Sequence, residues 1–292
     1  MRTFLEIVVR LLGNMPLAIA RLVGWLLGLA LTATPNKFRK ISNLHLARCL
    51  PQTTPESRRK ILRDSLFASA HAVTEAPAIW FGSLRRRKRW ISTSPDQLAK
   101  IRQAHASGRG VILLTPHQGA WELASFFCAQ VAALTVLYKP QKGNADALLR
   151  NGRARGAEIT PVPTSGKGVK ALLTALKAGE MVGILPDHDP PEASGTLFAP
   201  MFGIQTNTMD LVAKLAARTG APVLYVVAER LPWTQGFRFH VLEASAEIAD
   251  PLRGPAAMNA GIEQCIRMLP GQYWWSYRRF RRRPQGEPAF YD

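Results

Sequence analysis

From about residue 110 onward, short apolar runs of strand length alternate with longer stretches of helical spacing, and most junctions carry Gly, Pro or Asn. This alternation constrains the fold more than any other feature, because strands and helices taken in turn pack as a sheet with helices on both faces. Residues 110–115, 134–138, 181–185, 222–228 and 237–243 are predicted strands. Residues 119–131, 145–155, 168–178, 208–218 and 255–269 are predicted helices. Upstream, residues 55–81 carry Ile61, Leu62, Leu66, Phe67 and Ala70 at helical spacing, which predicts a further helix packed on the core. The reading is α/β, a mixed β-sheet flanked by helices. No repeat, heptad pattern or long linker divides the chain, and its 292 residues suffice for one large domain.

Residues 4–34 are mostly apolar but are interrupted by Glu6, Arg10, Asn14, Pro16 and Arg21. An unbroken apolar span of about 18 residues is therefore absent. What remains is the uncharged stretch Leu22–Thr34, preceded by a segment from which Arg10 and Arg21 reach toward lipid headgroups. This predicts an N-terminal hydrophobic anchor helix within residues 1–40, tilted into a bilayer or lying in its interface, with one folded domain over residues 41–292. A buried core helix and a cleaved signal peptide compete, and the early Glu6, Pro16 and Arg21 fit the signal peptide poorly. Lys37, Arg39 and Lys40 favour keeping the chain that follows on the cytoplasmic side.

Hydrophobic residues at 47% and charged residues at 20% exclude a disordered or low-complexity chain. Three well-separated cysteines, Cys49, Cys128 and Cys265, give neither a disulfide framework nor a zinc site and point to a reducing compartment. The 38 Lys and Arg against 20 Asp and Glu leave a net charge of +18, so the partner is anionic: nucleic acid, anionic lipid or an acidic protein. Two basic runs, Arg85–Arg89 and Arg278–Arg283, read either as solvated loops or as faces toward that partner.

The sharpest local feature is Thr115-Pro116-His117-Gln118-Gly119-Ala120-Trp121-Glu122, placed where a predicted strand ends and a helix begins. Strand ends are where α/β sheets build sites. On a continuous helix His117 and Glu122 would point about 140° apart, so they meet only if His117 sits in the turn. There Glu122 would accept from one ring nitrogen, and the other would take a proton from a substrate hydroxyl. The plainer alternative is a capping histidine beside a surface acid. Asp187-His188-Asp189 with His117 imitates a metal cluster, but nothing else has recognised ligand spacing, so no metal is expected. There is no Gly-x-Ser-x-Gly elbow, and Ser165-Gly166-Lys167 lacks the rest of a P-loop.

Four blocks, GVILLTPHQGAWE (110–122), LPDHDP (185–190), FAPMFG (198–203) and QYWWSYRRFRRRP (272–284), together with Arg48-Cys49-Leu50-Pro51, resemble the lipid A biosynthesis acyltransferases. These are the late lauroyl and myristoyl transferases, within the wider lysophospholipid acyltransferase-like group. The blocks stand in the family's order and cover most of the chain. The resemblance implies a glycerolipid acyltransferase-like fold and an acyltransferase domain over residues 41–292. It implies a bacterial inner-membrane enzyme, its catalytic domain facing the cytoplasm, that moves a fatty acyl chain from acyl carrier protein to a hydroxyl of a lipid A precursor. No metal or cofactor is implied. His117 and Glu122 match the HxxxxD/E motif as base and orienting partner, and Arg153 and Asp187 match further charged positions, taken here as substrate-binding. Tyr277 and Pro190-Pro191 depart from the commoner pattern, which bears on acyl length and acceptor.

A transferase of this kind needs an oxyanion donor and a dry acyl slot. Backbone N–H groups near Gly119 are the expected donors, and Trp121, Phe126 and Phe127 the expected lining. The basic runs would face phosphorylated lipid, an anionic membrane surface or the acidic carrier. Glycerol-phosphate lipid acylation is a related alternative, weakened by the absence of an FPEG-type block. A nucleic-acid-binding protein would explain the charge, with Trp90 and Tyr277 as stacking residues, but not the apolar N-terminus, so no nucleic acid is expected. An inactive membrane scaffold is the third alternative.

Overall fold

The computed structural model describes residue 11 and residues 13–141, 144–191 and 195–291, with only the backbone at 144 and 145. Glu6 and Arg10 lie outside the described residues. All five predicted strands enter one six-stranded sheet. In chain-order numbering they are β1 (Val111–Leu114), β2 (Leu134–Tyr138), β4 (Met181–Ile184), β7 (Val223–Arg230) and β8 (Phe237–Glu243). The sixth, β3 (Ile159–Pro163), was not expected, because Pro161 and Pro163 each remove a ladder donor. It lies at the sheet edge, where the missing N–H groups need no partner. The order is β3-β2-β4-β1-β7-β8, parallel throughout except for β8 against β7.

A separate antiparallel hairpin pairs β5 (Thr196–Met201) with β6 (Ile204–Met209). Its two-residue turn, Phe202-Gly203, has φ of 52° and 73°, both positive as a type I′ connection requires. β6 takes residues assigned above to a helix, which instead begins after it as α9 (Leu211–Thr219).

Every residue of β1 is buried, since helices cover both faces of the sheet. Val111 and Leu113 face a core with Leu123, Phe127, Leu224, Val226 and Phe239. Ile112 and Leu114 face the other, with Leu172, Val212, Tyr225, Ile262 and Trp275. Phe127 and Phe239 stack at 4.0 Å between ring centroids, and Arg87 lies 3.8 Å over the Phe126 ring. Phe126 and Phe127 are thus core residues, not the walls of an acyl slot.

The N-terminal helix α1 (Leu17–Ala33) follows Pro16 and packs along α3 (Pro55–Phe81). Gly24 and Gly28 allow the approach: a Cβ at Gly24 would lie 2.4 Å from His71 Nδ1, and at Gly28 2.4 Å from Phe67 Cδ1. Leu17, Ala20, Arg21, Gly24 and Gly28 are buried, while Ile19, Leu22, Trp25, Leu26 and Leu29 stay exposed, so an apolar stripe faces outward. Arg21 does not reach outward as expected. It is 4% exposed and donates from Nε to Glu75 Oε1 of α3 at 2.8 Å. Among the described residues no single helix is long and apolar enough to cross a membrane, although α1 and α2 (Lys37–Cys49), bent by 75°, pass that test together. The Asn36 side chain accepts from Arg39 N–H to start α2, whose His45, Leu46 and Cys49 are buried.

The basic runs are only partly solvated: the first is helical, and the second is an irregular segment with some of its arginines buried. Arg85–Arg89 fall in α4 (Leu84–Trp90), where Arg87 is buried and donates to Arg155 O, and Arg86 reaches Met15 O. In the second run Arg279 is buried and donates to Asn207 O and Thr208 Oγ1 of β6. Arg85, Lys88, Arg89, Arg278 and Arg281 remain exposed.

Candidate active site

β1 and β4 are adjacent and parallel, with Leu114 opposite Ile184, so the segments leaving them emerge at the same edge of the sheet. His117 follows β1 and Asp187 follows β4. The Asp187 carboxylate accepts twice from one residue, from His117 Nδ1–H at 2.8 Å and from its backbone N–H at 2.9 Å. Both side chains are buried, at 8% and 2% exposure. Burial alone would raise the Asp187 pKa, but the charge and hydrogen bonds of His117 outweigh it and hold the carboxyl well below the usual range. Asp187 therefore fixes the imidazole with its proton on Nδ1 and leaves Nε2 without a protein partner among the described residues. This corrects one expectation: the acid hydrogen-bonded to the ring is Asp187, not Glu122.

Glu122 opens α6 (Trp121–Cys128) and pairs elsewhere. It accepts from Trp80 Nε1 at 2.8 Å and from both Nε and Nη2 of Arg153, a fork-on-carboxylate pair. Burial would push its carboxyl up, but Arg153, Trp80 and, more weakly, His117 hold it low. Arg153, on α7 (Asn144–Ala154), is kept charged by Glu122 against the opposing effect of burial. Glu122 and Arg153 thus join α6 to α7 beside the histidine.

The ring of His117 is packed on three sides: His188 stacks at 4.2 Å, with Trp121 at 5.2 Å and Trp274 at 5.4 Å. Burial and the neighbouring His117 push His188 down to about 4, so it is neutral near pH 7. Tyr277 lies 4.8 Å from His188, and its hydroxyl accepts the Asp189 N–H at 2.9 Å. Trp80 and Trp274 went unassigned in the sequence, and His188 was read only as part of a metal-like cluster. Trp274 lay within a matched block; Trp80, in a predicted core helix, carried no signal.

The turn between β1 and α6 is locked by its backbone. Gly119 has φ of 61°, and a Cβ there would lie 1.9 Å from Ala228 O, so only glycine fits. Gly119 N–H donates to Gln272 O, Ala120 N–H to Ala228 O and Gln118 N–H to Pro116 O. Three of the amides around Gly119 are therefore already bonded to backbone carbonyls. Cys128 and Cys265 are buried, which pushes both thiols up to about 12 and makes them poor nucleophiles. Asp189 is taken by Asn207, Arg282 and the Tyr277 hydroxyl. No group of metal-ligating side chains occurs among the described residues.

The arrangement suits proton abstraction from a hydroxyl, with an imidazole backed by a carboxylate at the end of a strand. A family model described as bacterial lipid A biosynthesis acyltransferase matches residues 2–282. The chain is 33% identical to the lipid A biosynthesis lauroyltransferase of Escherichia coli (strain K12) over 257 residues, which are 86% of this chain and 82% of that one. It is 28% identical to the lipid A biosynthesis palmitoleoyltransferase of the same organism, over 86% of this chain and 81% of the relative. A lipid A biosynthesis acyltransferase of Haemophilus influenzae is 27% identical over 90% of this chain and 82% of its own length.

Proposed function

Because this chain belongs to the bacterial lipid A biosynthesis acyltransferases, we propose that it moves a fatty acyl chain from the thioester of acyl carrier protein to a hydroxyl of a lipid A precursor. The reaction takes place at the bacterial inner membrane, with the catalytic domain on the cytoplasmic side. Acyl transfer in lipid A biosynthesis follows from the family; the donor, the acceptor and the side of the membrane are our reading. The observation that carries it is His117 just beyond the end of β1, its Nδ1 on Asp187 and its Nε2 without a protein partner among the described residues.

In this scheme Nε2 accepts the hydroxyl proton as the oxygen attacks the thioester carbon. A carbon–oxygen bond forms, the tetrahedral adduct collapses, the carbon–sulfur bond breaks, and the imidazolium returns its proton to the leaving thiolate. Asp187 stabilises that imidazolium through Nδ1–H. The thioester needs no further activation, so binding both substrates in register supplies much of the remaining rate. Trp121 and Trp274, stacked at 5.5 Å beside His117, shield the reacting atoms from water. Glu122 and Arg153 hold α6 and α7 at the site, and exposed arginines draw the anionic donor and the phosphorylated acceptor.

The test is transfer from labelled acyl carrier protein to a tetra-acylated, sugar-extended lipid A precursor, using membranes that contain wild type or His117→Ala. Transfer by the wild type alone supports the reading. Equal transfer by the variant removes His117 from the mechanism, and no transfer by either, with the protein folded in the membrane, moves the acceptor to another lipid.

A further inference from the structure

A cavity of about 490 Å³ lies between α1, α3, the β7–β8 connection and residues 268–272, and His117 is not part of its wall. One wall is cationic. Arg21 and Arg230 both donate to the fully buried Glu75, at 2.8 and 2.9 Å, so two guanidinium groups share one carboxylate and one positive charge is left over. Arg230 is 7% exposed at its side chain, and its Nη1 has no hydrogen-bond partner; nor has Nδ1 of His71 on the same wall. At the rim Lys60 and Arg63 repeat the imbalance by sharing Asp64. A buried excess charge with an unused donor is costly and invites an anion.

Hydrocarbon lies beside these charges. Phe67, Leu231 and Leu269 also line the cavity, and Trp25 and Trp233 stand at 43% and 70% exposure. Trp233 holds φ of 45° in the β7–β8 connection, a conformation a bulky residue adopts only when the chain imposes it. Sharing the cavity with Trp25 puts that connection on the same side as the outward apolar stripe of α1. An exposed tryptophan beside an apolar helix face and a cationic wall suits the boundary between headgroups and hydrocarbon.

We infer that this cavity is a binding site for an anionic amphiphile, its phosphate against Arg230 and Lys60 and a hydrocarbon chain along Trp25 and Trp233, with Arg21 held back on Glu75, Leu231 O and Gly236 O as a source of positive field. The volume falls within the usual range for ligand sites, and charged and apolar side chains line it together, as such a ligand requires. The occupant would touch the machinery at one remove, since Arg230 Nη2 also donates to Gly119 O in the catalytic turn at 3.2 Å.

The probe is dioctanoyl phosphatidylglycerol, titrated into the full chain in nonionic detergent with bound lipid counted by native mass spectrometry. Dioctanoyl phosphatidylcholine and sodium phosphate are run in parallel. One phosphatidylglycerol per chain is expected to be retained in preference to phosphatidylcholine. Lys60→Glu is expected to weaken it about tenfold, as loss of a charge-assisted contact does, and Trp233→Ala to weaken it as well. Both side chains are 70% exposed, so neither variant disturbs the core. Equal retention of the two lipids, or no effect of Lys60→Glu, overturns the proposal; phosphate binding with the same Lys60 dependence while phosphatidylglycerol is ignored overturns the amphiphile. His117→Ala is expected to bind as wild type does, so failure of the transfer reaction and failure of this site are read separately.

Discussion

Replacing Asp187 by Asn keeps the shape beside His117 but removes the charge that backs the imidazolium and the acceptor that holds the proton on Nδ1. We expect kcat to fall on the order of 10³-fold or more with little change in KM, measured by steady-state transfer. Arg153→Ala leaves the Glu122 carboxylate partly buried without its cation and is expected to cost on the order of 3 kcal/mol, read from denaturant midpoints, with Arg153→Ala/Glu122→Gln recovering part of the loss. The titrating residues also set an acid limit. Burial pushes His45 and His71 down to about 4, so between the ordinary value near 6.5 and that value the unfolded chain binds protons the native chain does not. Stability is complete above that window and falls as pH drops through it. Asp187 and Glu122, held low, add a second loss beginning near pH 4. Melting temperature is therefore expected to decline from pH 6.5 downward, with a shallower slope in His45→Gln. His117 was legible from its place after a strand, whereas its true acid was not, because Asp187 becomes a neighbour only through the pairing of β1 with β4.

At the scale of elements, one carboxylate, Glu75 of α3, ties Arg21 of α1 to Arg230 of β7. Glu75→Ala leaves Arg21 and Arg230 buried without a counter-charge and is expected to destabilise the protein by about 3–5 kcal/mol, seen as a lower melting temperature and faster proteolysis near α1. The strands with unbroken apolar runs were legible, β2 and β8 to the residue. β3 was hidden by its two prolines, and β5 with β6 by polar Thr and Asn residues whose burial comes from Arg279 and Asn259 bonding to them. The basic runs misled for a related reason: charge density in a sequence does not say which guanidinium groups will satisfy backbone carbonyls, as Arg86, Arg87 and Arg279 do.

For the whole molecule, the net charge of +18 and the outward apolar stripe of α1 are both expected to favour a membrane surface but to respond differently to salt. Sedimentation with anionic vesicles is expected to weaken but persist at about 1 M salt, where the screening length falls to about 3 Å. Replacing Leu22, Trp25 and Leu26 together by Ser is expected to make the same binding fully salt-reversible. The α/β class followed from alternation of runs, but the strand order did not, since crossovers are set by packing over the whole sheet. The catalytic turn also depends on the far end of the chain: Gln272 O takes the Gly119 N–H, and Trp274 N–H donates to His117 O. On the proposed reading, a growing polypeptide could lodge α1 in lipid long before those residues exist, yet it would hold no assembled base to spend a thioester on water. Reactivity in this protein is a property of the finished chain.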